Sequence, residues 1–332
     1  MNLFSSRIRH IVACVAIFIA GVFGAPVFAQ INSMTSDGWH TWRVPAIESA
    51  PEMCCYSWNR GTTRKQGCNL DRHDGGFSTA PDVIAASTDM QIFAHLEDGD
   101  VTEIRALSAS CPVTSDSPVF DLGAVEAKDS VRWLEDHIIA GNKLASEAIT
   151  AVAVHEGDAA AKLLLKTAGS DSDQDNREDA IFWMTQVRVA EMSGEIKGFI
   201  FDDRDSAIRE HAAFAYSQSE AVDIPEVLIR QGRNDHDPEV RSQAWFWLAQ
   251  TEAAESEAAI RQAMREDDDE DVRQEAVFAL SQLPGDRAVK ALAEILEDSG
   301  LDMEIREQAL FWLAQTESDE AFEYIDRILS DN

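Results

Sequence analysis

The sequence predicts a mainly α protein, a right-handed α-solenoid of about six helical pairs preceded by a small, disulfide-stapled β-rich domain. Three observations predict it. A signature, Arg-x-x-Ala-x-Phe-x-x-x-Gln, recurs five times at steps of 32, 32, 32 and 33 residues, with an Asp four residues before each Arg. A period in this range marks a solenoid, whose units bury their apolar faces only against their neighbours. Helical periodicity takes over from Ala127, whereas Cys54, Cys55, Cys68 and Cys111 all lie earlier, among turn-rich segments.

Residues 1–29 read as a secretory signal peptide. Arg7, Arg9 and His10 precede the apolar run Ile11 to Phe23, and Val27-Phe28-Ala29 supplies a small-residue ending, with cleavage expected near Ala29. Cys14 opens the apolar run instead of following it, which argues against lipidation. Gly21, Gly24 and Pro26 favour cleavage over a retained anchor, since about 19 residues barely span a bilayer. The expected location is therefore periplasmic or secreted, with no stable membrane insertion after cleavage.

Residues 30–125 read as the β-rich domain. Met90 to Leu96 and Val101 to Leu107 flank Asp98-Gly99, a dipeptide suited to a type I′ hairpin turn. Trp39 to Val44 and Cys55 to Trp58 are further strands, and Arg60-Gly61 and Gly75-Gly76 are turns. Four cysteines in an exported chain imply two disulfides. Neighbours on an extended segment point to opposite faces, so Cys54 and Cys55 take different partners, Cys68 and Cys111, in an order the spacing leaves open.

Residues 126–332 read as the solenoid. A degenerate first unit spans 129–156, and Ala148 falls in the Ala column. In each later unit the second helix carries the signature: Asp173, Asp205, Asp237, Asp269 and Asp302 stand as N-caps, each worth about 1 kcal/mol. The first helices are expected at 195–201, 224–231, 257–265, 287–297 and 319–329, from apolar stripes such as Ile224/Val227/Leu228 and Val289/Leu292/Ile295/Leu296.

"DPEVRSQAWFWLAQ" and "DEDVRQEAVFALSQLPGDRAVKALAEIL" resemble HEAT repeats, in particular the short kind found in phycobilisome-lyase-type proteins. "FALSQLP" and "ALFWLAQ", with "RALSASCPV" and "CCYSW" upstream, are similar to exported bacterial HEAT-repeat proteins. The resemblance implies a scaffold and supplies no chemistry. It also implies that second helices line a concave surface, along which the Phe and Gln columns would form a ladder. On a helical wheel the residue before Arg, the Ala and the residue seven after Arg share the core arc, while Phe and Gln lie one turn apart on the other side. The ladder comprises Phe182, Gln186, Phe214, Gln218, Phe246, Gln250, Phe278, Gln282, Phe311 and Gln315. The same pattern fits rings packed on one another, with each Gln bonded to a neighbour's amide or carbonyl. Position six after Arg alternates Trp183, Ala215, Trp247, Ala279, Trp312, as interdigitating layers would.

Net charge is −32, and −34 once Arg7 and Arg9 leave with the leader. Such a chain repels phosphate backbones, which excludes nucleic acid as partner. The carboxylates serve solubility, or attract a basic partner. No Gly-x-Ser-x-Gly, Walker loop, dinucleotide fingerprint or His-Glu-x-x-His occurs. The HEAT-repeat enzyme deoxyhypusine hydroxylase binds iron through repeated His-Glu pairs, whereas His155-Glu156 is the one such dipeptide here. Asp171-Ser-Asp173-Gln-Asp175-Asn176 opens like a calcium loop but has Asn at the sixth position and Phe182 at the twelfth, and Asp267 to Asp271 occupies the equivalent turn. His40, Cys54, Cys55, Cys68 and His73 could compose a zinc site, yet export favours disulfides. The sequence thus predicts a non-enzymatic interaction scaffold of the cell envelope, without cofactor or metal, binding a protein or peptide along the Phe/Gln ladder, with a basic partner as one option for the acidic surface. The alternative is a metal-binding or thiol enzyme module in 30–125 with the solenoid as recognition arm.

Overall fold

The computed structural model describes residues 31–59, 62–72, 77–79, 88–139, 141–251, 253–284, 286–316 and 318–330. The leader, Arg60-Gly61, His73 and Gly75-Gly76 lie outside them.

Strand β1 (Gly38–Pro45) is central to a four-stranded sheet. It pairs antiparallel with β6 (Asp89–Glu97) and parallel with β9 (Val119–Ala124), and β7 (Asp100–Ser108) completes the far edge beside β6. The β6–β7 hairpin turns through Asp98 and Gly99 at φ 55° and 87°, the two positive values a type I′ turn requires. A second sheet places β2 (Met53–Asn59) between β3 (Thr62–Lys65) and β5 (Phe77–Thr79), and β4 (Cys68–Asn69) pairs with β8 (Val113–Thr114).

Alternation along the strands gives the four-stranded sheet two apolar faces. Trp39, Phe93 and Leu107 meet Cys54, Tyr56, Cys68, Leu70 and Cys111 in a small core on one side. Cys54 is bonded to Cys111 and Cys55 to Cys68, so the adjacent cysteines do take different partners. The other face carries Trp42, Val44, Met90, Ile92 and Ile104 into the same core as the helices.

The helices are α1 (Ala127–Glu135), α2 (Ala145–Ala153), α3 (Asp158–Ser170), α4 (Gln174–Asp202), α5 (Ser206–Ser217), α6 (Ile224–Asn234), α7 (Pro238–Ala249), α8 (Ser256–Glu266), α9 (Glu270–Ser281), α10 (Asp286–Glu297), α11 (Met303–Gln315) and α12 (Asp319–Ser330). Among the described residues none is long and apolar enough to cross a membrane. The repeats therefore occupy the chain as predicted, in two layers. Consecutive signature helices α5, α7, α9 and α11 pack directly on one another, more closely than consecutive first helices do.

Two details differ from the sequence expectation. The first helix expected at 195–201 is the end of α4, a 29-residue helix in which a signature helix runs on into the next unit. Only Met192 leaves helical geometry inside it, at φ −119°, ψ 18°, beside Ser193-Gly194. The helix at Asp158–Ser170, which no signature announces, is the first helix of the first signature unit.

Four of the five predicted caps form: Asp173, Asp205, Asp237 and Asp269 each accept from the backbone amide two residues on, at 2.9–3.1 Å. Asp302 makes no such bond. The signature Arg stitches units together. Arg177 reaches Asp203 at 2.5 Å, Arg209 grips both oxygens of Asp235 at 2.8 Å, and Arg241 grips Asp267 at 3.0 and 2.7 Å. The backbone carbonyls of Asp203, Asp235 and Asp267 accept in turn from Arg209, Arg241 and Arg273. Burial by itself would raise the Asp235 pKa, but the Arg209 fork holds it below the usual carboxylate range. The ladder stops where the position equivalent to Asp267 is Ser299 in the 33-residue step, and Arg306 donates to the Leu296 carbonyl instead.

The sheet and the solenoid are fused by one buried network. The Trp42 indole N–H donates to Ser130 Oγ at 2.8 Å, and Ser130 donates to His155 Nε2 at 2.8 Å. His155 Nδ1 donates to the Ala151 carbonyl at 2.7 Å, which fixes the neutral tautomer. Glu156 N–H donates to the Pro45 carbonyl and Ile47 N–H to that of Val154, both at 3.0 Å. Arg188 caps the His155 and Ala153 carbonyls from α4. The predicted boundary near residue 125 is thus a change of secondary structure along the chain, not a gap in the core.

Candidate functional site

Every signature Phe sits on a signature helix, five residues after the signature Arg. Phe182, Phe214, Phe246 and Phe278 are half-buried, and Phe311 is 52% exposed. The rings interlock with the Trp column. Phe214 meets Trp247 at 4.8 Å, Trp247 meets Phe246 at 4.8 Å, and Phe246 stacks on Phe278 at 5.7 Å with planes 11° apart. Phe278 then meets Trp312 at 4.6 Å and Trp312 meets Phe311 at 4.9 Å. The alternation at the Trp/Ala position decides the partner: opposite Trp247 and Trp312 the preceding Phe packs on indole, but opposite the buried Ala279 it packs on Phe278. Phe182 packs edge-on against Trp183 at 5.6 Å. Stacking and exposure therefore coexist in one ribbon spanning four units, each contact worth about 0.5–1.5 kcal/mol beyond burial.

The Gln column behaves differently from the expected ladder. Gln218, Gln250 and Gln282 are C-cap residues, and Gln315 is the last residue of α11. Gln186 alone of these is seen to reach a neighbouring unit, donating to the Ala215 carbonyl at 3.3 Å, while Gln218 and Gln282 bond the preceding Ser217 and Ser281. Four of the five thus stand at helix ends, while Gln186 lies inside α4.

Carboxylates flank the ribbon. Burial first, then Glu239, Asp237 and Glu178, push Glu210 above the usual carboxylate range. Burial, Glu239 and Asp271 do the same to Glu275. Acids on successive units thus crowd one face, while Arg177, Arg209 and Arg241 are turned inward to the Asp ladder.

The cysteine-rich core offers a different chemistry. The Sγ atoms of Cys54, Cys68 and Cys111 lie within 4.8 Å of one another, the one such group of metal-capable atoms among the described residues. All three are held in disulfides, Cys54 with Cys111 and Cys68 with Cys55. His40 is not in this group; its Nε2 bonds the Ser36 carbonyl at 2.8 Å and its ring stacks on Phe120. The calcium-like acids serve turns: Asp171 and Asp173 accept the amides of Asp173 and Asp175, and Asp267 and Asp269 accept those of Asp269 and Asp271.

Sequence reasoning missed Trp245, which fills the core column four after Arg where Ile181, Ala213 and Val277 stand. It fits because Gly232 of α6 leaves room; a Cβ there would lie 2.6 Å from the Trp245 ring. The missing signal is a pairing of two residues on different helices, visible only once the helices are packed.

Helical pairs stacked through an Arg–Asp ladder and presenting one continuous aromatic face define a helical-repeat protein built for surface contact. The family profile of HEAT repeats matches residues 224–314, from the start of α6 into α11, so the paired-helix repeat is of the HEAT kind. Similar solved structures include Escherichia coli YibA, at 20% identity and TM-score 0.35 over 60% of this chain and 81% of that one. Human deoxyhypusine hydroxylase in complex with glycerol is similar at 14% identity and TM-score 0.25, over 60% and 90%. The Mot1 N-terminal domain in complex with TBP is similar at 11% identity and TM-score 0.32, over 57% and 34%. No curated protein sequence matches the chain.

Proposed function

We propose that this protein is a non-enzymatic scaffold of the cell envelope that binds a partner protein along its second-helix face. The observation that carries the reading is the aromatic ribbon from Phe214 to Phe311, stacked yet half-exposed over four units. Contiguous apolar surface of this kind marks contact sites, and HEAT repeats suggest the same use. Location in the periplasm or outside the cell is supported by the leader over 1–29 and by two disulfides, which persist in oxidising compartments. Kinship with exported bacterial proteins carrying short, phycobilisome-lyase-type repeats accords with both. One face of the sheet shares the apolar core of the helices.

Crosslinked capture from the native envelope tests the proposal. Phe246→Ala combined with Phe278→Ala should lose the partner while circular dichroism stays helical. Retained capture by the folded variant would sink the ribbon as the contact surface, and loss of the fold would show the rings to be core.

A further inference from the structure

Between α7 and α9 the second-helix face opens into a groove of about 600 Å³. The stacked rings of Phe246 and Phe278 line it together with the carboxylates of Glu239, Asp271 and Glu275, and among the described residues that line it none is cationic. The cations nearest in sequence, Arg241 and Arg273, are held by Asp267. One residue after the signature Arg, this unit has Ser242 where the others have Glu178, Glu210, Gln274 and Glu307. Ser242 is only 7% exposed and lines the groove, and among the described residues its hydroxyl has no hydrogen-bond partner. With the rest of the residue packed away, that hydroxyl faces the groove and can accept a hydrogen bond from what enters it.

We propose that this groove receives the cationic side chain of a lysine or arginine from a basic segment of the partner. Its aliphatic stem lies on the Phe246–Phe278 pair, and its charged head sits among the three carboxylates with Ser242 Oγ as a further acceptor. Long cationic side chains bury their stems on apolar surface, are attracted to ring faces and form their strongest bonds to carboxylates. The inference rests on the second-helix face being the docking surface and adds the chemistry of what docks there.

The probe is a labelled hexalysine peptide, with the acetyl-lysine hexamer as uncharged control, titrated against the full exported chain by fluorescence anisotropy. At about 0.1 M salt, where distant charges are screened, Glu239→Gln with Glu275→Gln should weaken hexalysine about tenfold or more. Glu320→Gln with Glu323→Gln, an equal charge loss on exposed residues of α12, should change it less than about twofold. Ser242→Leu fills the groove without altering charge and should weaken binding as strongly as the first pair, with a thermal melt reporting its fold. Equal losses in the two charge pairs, or full binding by a folded Ser242→Leu protein, would overturn the proposal; should that variant not fold, the two charge pairs decide. In native-partner capture, loss with the double Phe variant but not with Glu239→Gln/Glu275→Gln would keep the docking face and reject the cationic insertion. Capture insensitive to both variants would reject both.

Discussion

His155 makes the stability of this protein pH-dependent in a calculable way. The ring is fully buried at the junction of sheet and solenoid, and burial pushes its pKa down to about 4, with Arg188 adding to the effect and the Ala151 carbonyl opposing it. The unfolded chain protonates at the ordinary value of 6.5. As pH falls below that value the unfolded state takes up a proton that the folded state refuses, so stability declines until the folded pKa is reached. Linkage with these two values gives a loss of about 2 kcal/mol between about pH 7 and about pH 5, and about 3 kcal/mol by pH 4. The first interval is the better one to measure, because the sequence pI of 4.4 invites precipitation lower down. Urea unfolding followed by tryptophan fluorescence, for the parent and for His155→Gln, isolates the term. Carboxylates and the half-buried His137 and His211 titrate in both proteins and cancel in the difference. His155→Gln will be weaker at neutral pH, since it disturbs the Ser130 bond, but its decline toward about pH 5 should be shallower by about 2 kcal/mol. Parallel declines would refute the neutral, buried assignment.

Two further outcomes follow from packing and covalent structure. Gly232→Ala should destabilise by about 1–3 kcal/mol despite the better helix propensity of Ala, because its Cβ enters the Trp245 ring, and adding Trp245→Leu should recover most of the loss in thermal melts. Removing Cys54–Cys111, which closes 57 residues, should cost about 4 kcal/mol in the chain-entropy model against about 3 for Cys55–Cys68, which closes 13; paired Cys→Ser variants compared by urea midpoint check the order.

Much of the fold was legible because it is written in short-range or periodic signals. Asp173, Asp205, Asp237 and Asp269 each sit two residues from the amide they cap, Asp98-Gly99 needs only its own backbone to turn, and a step of 32 residues repeats one packing problem. The candidate site was legible in outline for the same reason, since the Phe column recurs with the period. The Gln column misled because a helical wheel gives angle but not the point at which the helix stops; Gln218, Gln250 and Gln282 fall on that point.

The sequence by itself determined the repeat, its caps, the hairpin and the fact that adjacent cysteines part company. Tertiary structure alone decided that Cys54 takes Cys111, that His155 joins Trp42 through Ser130, that Trp245 occupies the space Gly232 leaves, and that Ser242 lines one groove with Phe246 and Glu275. These are contacts between residues on different elements, where side-chain volume and hydrogen-bond geometry must match across a packed interface. Periodicity fixes which face a residue occupies, and packing fixes what it meets there.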